Sequence, residues 1–305
     1  MYNYISMKSF YKNKKVLVTG SSGFVGSWLI MALNYLECEV YGISLKPSTE
    51  PSLFKVLGLE DKINQFYIDI NNIDQINEAI ENISPEIVFH LAAQPLVRES
   101  YLKPLYTFNT NIIGALNVLN ACSLNNNSTN FVSITTDKCY ENNEDGSRFV
   151  ESDPMGGKDP YSASKSCTEI VTKSYALSFN EINNLKVCTA RGGNIIGGGD
   201  WSKDRVVTDI ILSIIKEKDI ILRSPNSIRP WQHVVDVILG YLKLGLYNET
   251  KNQVFDSFNF GPSNDNVNSV KEVVIQMNKN LKQLKWSKQK EINKKIKESS
   301  LLKLN

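Results

Sequence analysis

Thr136, Asp137 and Lys138 stand in a row, and Tyr161 and Lys165 follow at a spacing of four. A hydroxyl, a carboxyl, an amine and a phenol suffice to take a proton from an alcohol and to run a second acid/base exchange beside it. A helical pair four apart shares one face, so Lys165 can bring its ammonium near the Tyr161 phenol. Lowering a tyrosine pKa from about 10 toward 7 takes about 4 kcal/mol, which that ammonium and a second bound cation can supply in a low-dielectric cleft. Tyr161 would then accept a hydroxyl proton as hydride leaves the same carbon. Alcohol oxidation needs no more than Thr136 and Tyr161. Asp137 and Lys138 are extra, and they match elimination beside a transient ketone, where one group removes the α-proton and another protonates the departing hydroxyl.

Position gives the tyrosine pair its meaning. Tyr-x-x-x-Lys occurs four times, at Tyr4, Tyr11, Tyr161 and Tyr247, and only Tyr161 opens a long helical pattern just after a strand signal. Strand-like runs lie at 14–18, 39–44, 65–70, 86–91, 130–135 and 186–190, with helical periodicity at 27–36, 73–83, 111–123 and 162–179. Strands alternating with helices predict an α/β fold, a Rossmann-type doubly wound parallel sheet. After Arg191 a Gly-rich loop precedes helical patterns at 205–216 and 234–246. The expected division is a dinucleotide-binding domain over 1–190 and a smaller α/β substrate lobe over 191–305.

Gly20, Gly23 and Gly26 sit where the first strand meets the first helix of that sheet. Glycine there permits a tight turn and lets a pyrophosphate approach the backbone, and the helix N-terminus offers free N–H groups. Phe24 and Val25 complete the cradle. Asp69 and Ile70, and Leu91, Ala92 and Ala93, fall at carboxyl ends of later strands, where open α/β sheets bind cofactors. Ser44 and Lys46 occupy the region where an acidic residue would hold the ribose hydroxyls of NAD, so chemistry alone leaves NAD and NADP open.

Composition excludes several classes. With 305 residues, 42% hydrophobic and 22% charged, the chain can bury a large core, and a net charge of +2 argues against a nucleic-acid surface. Five cysteines without paired spacing and two histidines argue for reduced thiols and no metal site. No apolar run reaches the roughly 20 residues of a membrane span. A cytoplasmic protein with no membrane partner is expected. The lysine-rich stretch 279–297 reads as a solvated helical face, and 125–127 as a polar loop.

Six segments carry a resemblance: TGSSGFVGSWL (19–29), PSTEPSLF (47–54), HLAAQPLVR (90–98), TDKCYEN (136–142), NIIGGGDW (194–201) and RPWQHV (229–234). They resemble the extended short-chain dehydrogenase/reductases, most closely the CDP-glucose 4,6-dehydratases, in which lysine rather than glutamate follows the aspartate. The resemblance implies NAD and conversion of CDP-glucose to CDP-4-keto-6-deoxyglucose for surface polysaccharide such as lipopolysaccharide. By it, Tyr161 is the C4 base, Lys165 its electrostatic partner, Thr136 a substrate ligand, Asp137 the acid for the 6-hydroxyl and Lys138 the C5 base. Gln94, Asn194, Arg205 and Arg229 are implied to hold the nucleotide sugar. A homodimer or homotetramer is implied too, and a chain cut short within its second lobe. Two alternatives stay open: a nucleotide-sugar 4-epimerase, which needs no Asp137/Lys138 pair, and a non-catalytic dinucleotide-binding protein.

Overall fold

The computed structural model describes residues 4–125, 129–183, 185–251, 253–262, 269–281, 285–289 and 299–305. Asn126 and Asn127 of the expected polar loop, and 282–284 and 290–297 of the lysine-rich stretch, lie outside them. In chain order the first half runs α1 (Tyr4–Tyr11), β1 (Lys15–Thr19), α2 (Phe24–Tyr35), β2 (Glu39–Ser44), α3 (Leu53–Val56), β3 (Asn64–Tyr67), α4 (Ile73–Ile83) and β4 (Ile87–His90). Next come α5 (Val97–Leu102), α6 (Pro104–Phe108), a π-helical turn (Asn109–Gly114), α7 (Ala115–Ser123), β5 (Thr129–Ile134), a 3-10 turn (Asp137–Cys139) and α8 (Pro160–Asn183). The chain then forms β6 (Leu185–Gly192), β7 (Asn194–Ile196), α9 (Val206–Ile215), β8 (Ile220–Leu222), β9 (Trp231–His233), α10 (Val234–Thr250), β10 (Phe255–Phe260), α11 (Val270–Asn280) and β11 (Trp286–Lys288).

Seven parallel strands form one sheet in the order β10-β6-β5-β4-β1-β2-β3. β1 pairs with β2 on one side and β4 on the other, so the strand order reverses at β1. Crossovers diverge to opposite faces there and leave a crevice at the carboxyl ends. The inner strands β1, β4 and β5 are buried on both faces, whereas the edge strands β3 and β10 are exposed or half-buried. On one face Leu29, Ile30 and Leu33 of α2 pack with Val237, Tyr241 and Leu242 of α10 and with Tyr11 of α1. On the other, Ile76, Ile80 and Ile83 of α4 pack with Val118 and Leu119 of α7. Burying each such aliphatic side chain contributes about 1.5–3 kcal/mol.

Residues 191–305 divide between two places. α10 covers the sheet, and β10 extends it by pairing in parallel with β6. The expected boundary at 190 falls within β6, which stays in the sheet to Gly192. The outlying layer is built from α9, α11 and the β8–β11 pair around Ile210, Ile220, Leu222 and Val274. The helix expected over 111–123 also differs, because its first turn is π-helical. Asn111 is buried there and spends its side chain on Gln94 and Ser164, contacts that a regular turn would misplace.

Candidate active site

One cleft of about 1240 Å³ opens at the crevice, and every residue singled out above for catalysis, cofactor or substrate lines it. Its cofactor side is the β1–α2 turn. Gly20 has φ +72°, and a Cβ on it would lie 2.8 Å from the Ala92 nitrogen. A Cβ on Gly26 would lie 2.3 Å from the Gly20 carbonyl oxygen, so the turn closes only with hydrogen at both places. Ala92 thus packs closely against Gly20, and both Ala92 and Ala93 form the cleft wall. Ser22 donates to the Leu45 carbonyl at 2.7 Å, tying this turn to the end of β2. Lys46 is exposed and lies 5.9 Å over the Tyr67 ring. Asp69 turns the chain after β3, accepting from the Asn71 N–H at 2.9 Å.

His90 ends β4 beneath this turn, 2.9 Å from the Thr19 hydroxyl. Burial, reinforced by the Lys165 charge, lowers its pKa from 6.5 to about 3. The unfolded chain then binds a proton that the native chain refuses, so stability is complete above pH 6.5 and falls as pH drops toward 3. The expected loss is about 1.4 kcal/mol per pH unit. Denaturant titrations across that window should show His90→Asn with a shallower slope than the parent. Equal slopes would dissociate His90 from the acid sensitivity.

The catalytic side is the loop after β5. Thr136 caps the 3-10 turn, and its hydroxyl donates to Asp137 Oδ1 at 3.1 Å. Asp137 is 1% exposed, and its Oδ2 has no partner among the described residues. Lys138 Nζ lies 4.0 Å from Asp137 Oδ1. Opposite them α8 begins, with the Tyr161 N–H donating to the Ser100 hydroxyl at 3.1 Å. Burial pushes the Tyr161 phenol up to about 12, against the Thr136 hydrogen bond and the Arg205 charge, which lower it. Lys165 donates to the Ile134 carbonyl at 3.1 Å, and burial lowers its pKa to about 8. The Arg205 charge also bears on the phenol, a cation that helical spacing does not point to.

Behind the loop runs a buried polar network that motif reading missed. Glu169, one turn beyond Lys165, pairs with Arg191 at 2.9 Å and accepts from Thr135 and Thr189. Arg191 also donates to Tyr140 Oη at 2.8 Å. Removing one partner would strand a buried charge, so the network locks the end of β5 against α8. Glutamate inside a helix gives no sign of this in sequence.

The far wall brings together residues of different standing. Asn194 Oδ1 and Arg205 Nε are buried without partners among the described residues, facing a cleft that can supply them. Gln94 instead donates to Leu96 and Thr107 and accepts from the Leu96 N–H, so both ends of its amide serve the protein. Arg229 donates to the carbonyls of Ile228 and Ser299. Tyr241 was not anticipated: it is fully buried, lines the cleft, and its hydroxyl has no partner among the described residues. Its helical periodicity reads as ordinary core. Arg98 and Arg223 reach Asp204 from opposite walls at 3.0 and 2.7 Å.

A reversing parallel sheet with a glycine turn and a Tyr/Lys helix facing its crevice defines an extended short-chain dehydrogenase/reductase. A family model described as GDP-mannose 4,6 dehydratase matches residues 17–303, and the chain belongs to that family. It is 41% identical over 276 residues to CDP-glucose 4,6-dehydratase of Salmonella typhimurium, spanning 88% of this chain and 77% of the relative. Identity to UDP-glucose 4-epimerase of Mycoplasma pneumoniae is 27%, over 81% of this chain and 76% of that one. The solved UDP-glucose 4-epimerase of Thermus thermophilus in complex with NAD superposes with a TM-score of 0.79 at 24% identity, covering 95% of this chain and 90% of that chain.

Proposed function

We propose that this chain is a NAD-dependent dehydratase that converts CDP-glucose to CDP-4-keto-6-deoxyglucose. The observation that carries the reading is the unpartnered, buried Asp137 carboxyl oxygen held across one cleft from Tyr161, beside the 41% identity to a CDP-glucose 4,6-dehydratase. The glycine turn fits a dinucleotide, because it closes only without side chains at Gly20 and Gly26 and so brings the start of α2 to the cleft wall. Gly20, Gly23 and Gly26 would hold NAD, which when bound would supply hydride acceptance at sugar C4 and hydride return at C6. Tyr161 takes the C4 hydroxyl proton, with Thr136 holding that oxygen. The resulting ketone acidifies C5, from which Lys138 removes the proton while Asp137 protonates the departing C6 hydroxyl. Asn194 and Arg205 would bind the diphosphate, an arginine fork suiting phosphate oxygens, and Arg229 would join them only by leaving the Ile228 and Ser299 carbonyls.

Residues 191–233 and the outlying layer would hold the nucleotide, and 1–190 the cofactor. The product would feed deoxysugar synthesis for surface glycans such as lipopolysaccharide. The enzyme would work in the cytoplasm; among the described residues no helix is long and apolar enough to cross a membrane. Exposed Leu102, Leu105, Ile113, Ile170 and Leu177 on α5, α6, the π turn and α8 would pair two copies. Incubation with NAD and CDP-, dTDP-, GDP- and UDP-glucose, followed by product mass, tests the reading. CDP-glucose should lose one water with no net reduced cofactor. A mass unchanged by turnover would indicate epimerisation, and cofactor binding without turnover a non-catalytic protein.

A further inference from the structure

One carboxylate joins the two walls of the cleft. Asp204 lies in the loop between β7 and α9, and its Oδ1 accepts from Arg98 Nη1 at 3.0 Å and from Arg223 Nη1 at 2.7 Å. Arg223 Nη2 also donates to the Asp204 carbonyl at 3.2 Å. Arg98 stands in the first turn of α5, which is anchored on the sheet side, because the Tyr161 N–H of α8 donates to its buried Ser100 at 3.1 Å. Arg223 directly follows β8 of the outlying layer, which has a core of its own around Ile210, Ile220, Leu222 and Val274. The triad therefore ties that layer to the opposite wall through charge.

Arg98, Asp204 and Arg223 all line the cleft, and their side chains are 41%, 33% and 31% exposed, so they form its rim. Ion pairs this open to water contribute little to stability. They can part and re-form without cost to the fold. Asp204 is held at φ +62°, a left-handed conformation that a residue with a side chain seldom takes, and Arg205 follows it at once, its Nε buried and without a partner among the described residues. Fixing Asp204 thus fixes where Arg205 enters the cleft. Two arginines on one carboxylate also leave surplus positive charge at the rim, which draws in an anion. We propose that the triad of Arg98, Asp204 and Arg223 is the latch of a gate: it closes the outlying layer over a bound nucleotide sugar, with Asp204 positioning Arg205, and parts to admit substrate and release product. The identity of the ligand rests on the dehydratase reading, and the latch rests on the triad.

Stopped-flow release of CDP from the NAD-loaded protein reads the latch, followed by tryptophan fluorescence because Trp201 and Trp231 line the cleft. Steady-state kinetics on CDP-glucose complete the test. Asparagine keeps the shape of aspartate and accepts the left-handed backbone, so Asp204→Asn removes charge and little else. Release should quicken about tenfold, the scale of two partly exposed ion pairs, and KM should rise far more than kcat falls. Arg98→Gln should quicken release too, and the double variant should be no faster than Asp204→Asn, because both changes break one device. Asp204→Glu, which keeps the charge, should release CDP more slowly than Asp204→Asn. Release unchanged in Asp204→Asn and Arg98→Gln, fully additive effects, or a fall in kcat at constant KM would overturn the gate. Should circular dichroism show Asp204→Asn unfolded, Arg98→Gln decides alone, and release at the parent's rate would overturn the gate. No keto product from the parent, with release still quickened by both changes, would bring down the dehydratase reading and leave the gate standing.

Discussion

Asp137→Asn should oxidise its substrate and then stop. The amide keeps the shape of the carboxyl but has no proton to give, so loss of the C6 hydroxyl should slow by about 10²- to 10⁴-fold, the usual share of general acid catalysis. Tyr161 and Lys165 are untouched, so reduced cofactor should build up toward one per site and persist. Absorbance of the reduced nicotinamide in a stopped-flow mixing experiment reads this directly. The side chain is 1% exposed and its Oδ2 has no hydrogen-bond partner among the described residues, so the substitution removes chemistry more than structure. The same variant would spare an epimerase. Normal dehydration by Asp137→Asn would remove the carboxyl from the mechanism.

Tyr161→Phe should fail one step earlier. Reduced cofactor should not form at all, and the overall rate should fall by about 10²- to 10⁴-fold, while NAD still binds as judged by calorimetry. Burial holds the phenol at about 12, so acting as a base near pH 7 demands about 7 kcal/mol of help. That exceeds the roughly 4 kcal/mol needed from an ordinary tyrosine value of about 10, because desolvation is invisible in sequence. Arg205 and Thr136 lower the value already, and the cationic ring brought by NAD would add to them. Substantial oxidation by Tyr161→Phe would mean that another group takes the C4 proton.

What could be read from the sequence was local. β2 and α4 fall where alternation and periodicity place them, because their neighbours in the chain decide them. The glycine turn, the capped Thr136 loop and the Tyr161 helix are likewise short segments with short-range causes, and the cleft gathers them all. The unseen parts depend on partners far along the chain. Glu169 meets Arg191 and Thr189 only after β6 is laid down. Gln94 is committed by Thr107 across a loop. Tyr241 reaches the cleft beside Gly192, where even a Cβ would come within 3.4 Å of its hydroxyl.

The seventh strand has a consequence for how the molecule is made. Until Phe255–Phe260 has left the ribosome, β6 presents a bare outer row of amide and carbonyl groups beside side chains destined for full burial. Such an edge is a template for pairing with a neighbouring nascent chain. The cofactor half therefore matures only when a segment more than sixty residues downstream arrives to seal it, and synthesis of the two halves as separate polypeptides would leave the first one sticky.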